Sequence, residues 1–241
     1  MCGRFTLTTE IGTNLLASLF DSRSKIDDLS PRYNIAPKQT TAAVLVEREE
    51  RVLDKLQWGL LPPWFHDRRV TNPLINARAE TLESRPSFRD SFEKRRCLIP
   101  SDGFYEWVGQ DRIPYWISLR ERRPFAYAGL YELRKNHSST DFPTFAIITT
   151  KANNLMRTMH NRMPAIIPPE YFDQWLNPKK TASESRLLLR PYPAAKMITT
   201  QVSRLVNNVN VDKASCILPV PPMESQTSII NFKLFAEDLH E

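Results

Sequence analysis

Glycine is scarce in this chain, with 6 residues in 241 against 19 prolines. Average usage runs the other way, so the composition favours fixed, extended segments over hinges. Cysteine is equally sparse. Cys2, Cys97 and Cys216 are odd in number, widely spaced and form no C-x-x-C pair. That argues against a disulfide framework and leaves no structural zinc signature. No apolar run approaches the roughly 18 residues of a membrane-spanning helix. Arg4 and Glu10 interrupt the start and no apolar signal-peptide core follows them. Repeats, linkers and long polar tracts are also missing. These absences predict a protein of a reducing, intracellular compartment, cytoplasmic if bacterial, with no membrane partner, no metal and no cofactor.

What is present is a hydrophobic content of 41%, enough for a substantial core. Lys and Arg number 33 against 27 Asp and Glu, a net +6. That excess fits a plain basic surface as readily as an affinity for phosphate. A helix is predicted over 9–20, capped by Thr8 or Thr9, with Ile11, Leu15, Leu16, Leu19 and Phe20 on its apolar face. Residues 31–37 read as an extended turn, and 41–46 and 52–58 as strands joined by a charged turn. Further strands are predicted at 97–99, 104–107, 115–119, 125–130, 145–149, 163–167 and 198–206, and short helices at 87–94, 153–159 and 169–175. Strands and helices do not alternate, which excludes a doubly wound sheet. The prediction is one α+β domain over 1–220, built on a curved or barrel-like antiparallel sheet with short peripheral helices. A partly ordered tail, 221–241, follows, with 229–235 packing back. A monomer is expected.

The opening Met1-Cys2-Gly3-Arg4 carries the sharpest chemistry. Initiator methionine is normally removed before a small residue, and removal would give Cys2 a free α-amine beside its thiol. An α-amine with a pKa near 8 is partly neutral at pH 7 and condenses with an aldehyde to a Schiff base. The thiol then closes on the imine carbon to a five-membered thiazolidine, an intramolecular step of high effective concentration. The open form of an abasic deoxyribose presents such an aldehyde. An isolated second-position cysteine is usually idle, so the case rests on its company.

In Ile75-Asn76-Ala77-Arg78-Ala79-Glu80-Thr81, Asn76 and Arg78 share one face of an extended chain. In Asp102-Gly103-Phe104-Tyr105-Glu106-Trp107, Glu106 stands between two aromatics, an apolar setting suited to proton transfer. In His160-Asn161-Arg162-Met163-Pro164, His160 is expected between a short helix and a strand. Each has a plain alternative: an outward strand residue for Glu106, a capping or core residue for His160.

Together with Arg32-Tyr33-Asn34-Ile35-Ala36-Pro37, Trp58-Gly59-Leu60 and the segment from Val202-Ser203 to Asn208, these motifs resemble the SRAP family (SOS response-associated peptidase; abasic-site processing proteins). They follow the family's order over roughly 1–210. The resemblance implies Cys2 as the crosslinking nucleophile, Asn76, Glu106 and His160 as its partners, and Arg78 as a DNA-phosphate contact. Asn161 stands where the family commonly has aspartate. The expected partner is single-stranded DNA containing abasic sites. Arg4 and Arg162 join Arg78 as phosphate contacts, and Trp64 and Phe65, after Pro62-Pro63, as base-stacking candidates. Arg95-Arg96 reads as a solvated face. Rival readings are a cysteine peptidase that removes its own Met1, an N-terminal-nucleophile amidotransferase, and a non-covalent single-strand binder.

Overall fold

The computed structural model describes residues 2–8, 12–64, 73–133 and 143–220. Met1, Thr9, Ile11, Phe65 and the tail 221–241 lie outside the described residues. In chain order the elements are β1 (Phe5–Leu7), α1 (Gly12–Leu19), β2 (Arg23–Ser24), β3 (Arg32–Ile35), β4 (Thr40–Glu47), β5 (Glu50–Trp58) and β6 (Asn76–Arg78). Then come α2 (Pro86–Lys94), β7 (Arg96–Ser101), β8 (Gly103–Val108), β9 (Ile113–Leu119), β10 (Phe125–Glu132) and β11 (Thr144–Lys151). The last are β12 (Arg162–Pro164), β13 (Ile166–Ile167), α3 (Phe172–Leu176), α4 (Ala182–Arg186) and β14 (Met197–Gln201).

The chain is α+β, with its strands in two sheets. One runs β14-β9-β8-β1-β3, the other β12-β11-β10-β7-β4-β5-β2 with β6 and β13 attached to its side. The sheets do not close into a barrel, and the larger one is mixed: β11 pairs parallel with β5 and β6. Every residue of β10 is buried, as expected for a central strand covered on both faces. Phe5 carries β1 into the core between Trp58 and Tyr127, at ring distances of 5.0 and 5.7 Å in edge contacts.

Several elements depart from the sequence reading for identifiable reasons. Residues 31–37 hold strand β3. The run 163–167 is two strands. It fills the fork where β10 and β11 splay: Ala165 donates to Ile148 O at 2.9 Å and accepts from Ala128 N at 2.8 Å. Strand β14 stops at Gln201, because the Ser203 side chain accepts from Leu205 N and starts a 3₁₀ turn instead. The predicted helix at 153–159 is a single 3₁₀ turn, since Asn153 Oδ1 takes Met156 N and its amide donates to Tyr192 O. On α1 the buried stripe is Thr13, Leu16 and Ala17, continued by Phe20 stacked on Phe172, while Leu15 and Leu19 are exposed. Arg96 is not solvated. It is 4% exposed, and its guanidinium donates to the carbonyls of Phe92, Glu93, Trp175, Asn177 and Lys180. It thereby satisfies orphan carbonyls at the C-terminal ends of α2 and α3.

The β4–β5 hairpin turns on Arg48 and Glu49, with φ of 48° and 69°. Two positive values fit a type I′ turn, which favours Asn-Gly. A non-glycine residue in this region costs about 1–2 kcal/mol. The Glu49–Lys179 pair across 3.6 Å of open surface offsets little of it. Arg48→Asn with Glu49→Gly is expected to raise stability by about 1 kcal/mol, read as a higher urea midpoint at unchanged slope. An unchanged or lower midpoint would refute the assignment of strain.

Candidate active site

The N-terminal segment enters the site through the very short strand β1, which lies between β8 and β3. Phe5 pairs with Phe104 and Thr6 with Gly103, and Tyr105 N donates to Arg4 O at 3.0 Å. This lays the first residues along β8, where Glu106 stands two positions beyond Phe104 on the same face. Cys2 is fully buried. Asn76 Nδ2 donates to Cys2 O at 3.0 Å, while Asn76 Oδ1 is buried with no hydrogen-bond partner among the described residues. Burial first, then the nearby Glu106 carboxylate, push the Cys2 thiol well above its ordinary pKa. Two residues far apart in sequence, Asn76 and Glu106, thus converge on Cys2.

Alternation along β8 reverses one expectation. Tyr105 and Trp107 do not enclose Glu106. Tyr105 belongs to the cluster of Trp116, Val202, Val206 and Cys216 on the opposite face and Trp107 packs against it, because successive strand residues point to opposite faces, although Trp107 also reaches the cleft that Glu106 faces. Glu106 is 5% exposed and faces a cleft of about 690 Å³ lined by Gly3, Arg4, Trp107, Gly109, Arg112 and Asn207. Arg4 donates to Asn34 Oδ1 and Val206 O, both at 2.8 Å, and lies 5.9 Å over the Trp107 ring. Trp107 Nε1 donates to Asn207 Oδ1 at 2.7 Å. Arg112 and Asn207 were not singled out from sequence. The Arg112 signal, a turn residue with φ of 49°, is visible only in the backbone.

Asn76 and Arg78 share a face of β6, with Ala77 buried between them and Arg78 exposed. β6 runs beside β11, Arg78 opposite Thr149, and β12 pairs with β11 from its other neighbours, Thr149 opposite Pro164. His160 stands just before β12. Its Nδ1 accepts from Arg162 N at 2.9 Å, so the neutral ring carries its proton on Nε2. The backbone amide of Arg162, not the side chain of residue 161, accounts for the ring's orientation. Arg162 itself is a fork on Glu80, at 2.7 and 2.9 Å, with a third bond to Thr149 O at 2.5 Å. This pairing holds the Glu80 carboxyl below its usual range and ties the end of β6 to β12. Trp64 is half exposed. No cluster of His, Cys, Asp and Glu able to hold a metal occurs among the described residues.

The chain matches the family model described as SOS response associated peptidase (SRAP) over residues 1–209. A Bacillus subtilis (strain 168) protein named abasic site processing protein YoqW is 43% identical over 212 residues, covering 86% of this chain and 95% of its own length. The abasic site processing protein YedK of Escherichia coli (strain K12) is 30% identical over 235 residues, covering 91% and 100%. Among solved structures, a Bacteroides thetaiotaomicron protein superposes with a TM-score of 0.82 at 26% identity, covering 91% of this chain and 100% of that one.

Proposed function

The chain belongs to the SRAP family, and from that premise we propose that it processes abasic sites in single-stranded DNA by capturing them on Cys2 as a thiazolidine after Met1 has been removed. The observation that carries the reading is the hydrogen bond from Asn76 to Cys2 O at 3.0 Å, with Glu106 close enough to perturb the Cys2 thiol. A side-chain amide and a carboxylate are gathered around the residue that would bear both an amine and a thiol.

The sequence of steps balances as follows. His160 Nε2–H gives its proton to the ring oxygen of the closed abasic sugar while the C1′ hydroxyl proton passes through solvent water back to Nε2, giving the open aldehyde and restoring the neutral imidazole. The Cys2 amine attacks C1′, and Asn76 Oδ1 accepts an N–H of the adduct. Glu106, protonated beforehand by the Cys2 ammonium, relays the adduct's amine proton to the C1′ oxygen and then gives its own proton to the resulting hydroxyl, so water leaves and an iminium remains. The thiol sulfur then adds to C1′, the C=N electron pair returns to nitrogen, and Glu106 accepts the thiol proton. One water is lost overall.

A neutral resting thiol suits this order, because the first nucleophile is the amine and the thiol's proton leaves as the C–S bond forms. A cysteine peptidase instead needs a ready thiolate, which burial and Glu106 oppose. Covalent capture is therefore the reading favoured over peptidase action. For the DNA, Arg78 and Arg4 are the proposed phosphate contacts, with Trp64 offering a stacking face. Arg162, tied to Glu80, acts in this scheme chiefly by holding His160 and β6 in place. The proposed unit is the domain 1–220.

The test is to incubate the protein with single strands carrying one abasic site or none, denature, and map any adduct by mass spectrometry. The expected result is an adduct only on the abasic strand, at Cys2 of a chain lacking Met1, lighter by one water than its parts. An adduct on another residue, or capture by a chain that keeps Met1, would overturn the mechanism; retention without any adduct would leave a non-covalent binder.

A further inference from the structure

The strand that carries Cys2 is poorly specified by its own ladder. β1 has three residues. It pairs with β8 at two positions, and its pairing with β3 contains a register irregularity between Phe5 and Leu7. Short, irregular pairing sets register weakly, and a slip of one residue turns every side chain to the other face. Cys2 lies four positions before Thr6, so such a slip would also move it by about 3.3 Å along the chain.

Asp102, 6% exposed and just before β8, meets this strand at two alternate residues. Its Oδ1 accepts from Thr6 Oγ1 at 2.5 Å. Its Oδ2 accepts from Thr8 N at 2.7 Å and Thr8 Oγ1 at 2.6 Å. Its backbone N donates to Thr6 O at 3.1 Å. Trp116 Nε1 donates to Thr6 Oγ1 at 3.1 Å from above Gly103, where any Cβ would sit 2.2 Å from that nitrogen. Thr6 and Thr8 follow Cys2 by four and six positions, so the carboxylate holds the segment that leads directly from the nucleophile.

We infer that Asp102 is a positioning residue that fixes the register of the N-terminal strand and so sets the reach of Cys2 toward the sugar carbonyl. The inference rests on the capture reading above. Asp102 is placed to act through Thr6 and Thr8. Misplacement of a reacting group by about 1 Å can cost on the order of 100-fold in rate, so loosening this grip lowers the chemical step and leaves DNA affinity alone.

The experiment measures the first-order crosslinking rate at saturating abasic single strand for wild type, Asp102→Ala and Asp102→Asn. It also measures DNA affinity for the same changes placed on Cys2→Ala. Asp102→Ala is expected to lose at least about tenfold in rate with affinity unchanged. Asp102→Asn is expected to stay within about threefold, since an isosteric amide still accepts from Thr8 N and can donate to Thr6 Oγ1. Asp102→Ala at the wild-type rate, or a loss carried entirely by affinity, overturns the clamp. If Asp102→Ala fails to fold by circular dichroism, Thr6→Val and Thr8→Val each remove one side of the grip, and wild-type rates in both overturn it equally. A wild-type protein that forms no adduct fails the capture reading itself, a result distinct from any of these.

Discussion

Cys2→Ala protein is expected to give no DNA adduct that survives heat and denaturant, whereas wild type gives one that does. The substitution separates the two groups that the mechanism assigns to one residue. Alanine is also small enough to permit removal of Met1, so the α-amine remains and still condenses with the sugar aldehyde. The imine it forms hydrolyses on denaturation, because no sulfur is present to close the ring. Borohydride added before denaturation should therefore recover a reduced adduct from Cys2→Ala. Effective concentrations of well-placed intramolecular groups reach about 10⁵–10⁸ M, so loss of the thiol should appear as all-or-none persistence. A stable adduct from Cys2→Ala without reductant would sink the thiazolidine. No adduct even with borohydride would show that the amine is not the first nucleophile.

Glu106→Gln should slow crosslinking by on the order of 100-fold, a typical contribution of a positioned acid–base group, with DNA affinity intact. Glutamine keeps the shape and the hydrogen-bonding reach of the carboxylate, but it moves no protons. The substitution has a second consequence of opposite sign. The Glu106 carboxylate helps to hold the Cys2 thiol up, so its removal lets the thiol ionise more readily. Burial is the larger cause of that shift and persists in the variant, so the gain is the smaller effect and the rate falls. Single-turnover measurement at saturating DNA checks this, and a wild-type rate would make Glu106 a structural residue only.

The linear order of residues was a good guide wherever the controlling contact is local. The β4–β5 hairpin, helix α2 to within a residue of its start and the run of β10 are all legible, since strand-like runs about a charged turn, helical patterning and an unbroken apolar stretch act over a few positions. Arg96 shows the limit. A cation in a charged run reads as solvated, but five carbonyls surround it, four of them from the ends of two helices, and one of those helices lies about eighty positions on. Glu106 shows another, because its aromatic neighbours in sequence belong to the opposite face of its strand.

From the amino-acid order alone come the family resemblance, the α+β class and the reactive pairing latent in Cys2, because each depends on which residues are present and in what order. Only the folded chain decided that Asn76 touches Cys2 from 74 positions away. Arg162 being spent on Glu80 and Asp102 gripping Thr6 and Thr8 were likewise decided there. Hydrogen bonds and ion pairs of this kind depend on separations of a few ångströms between strands distant in the chain, and those separations are set by sheet register and core packing, which no local pattern encodes.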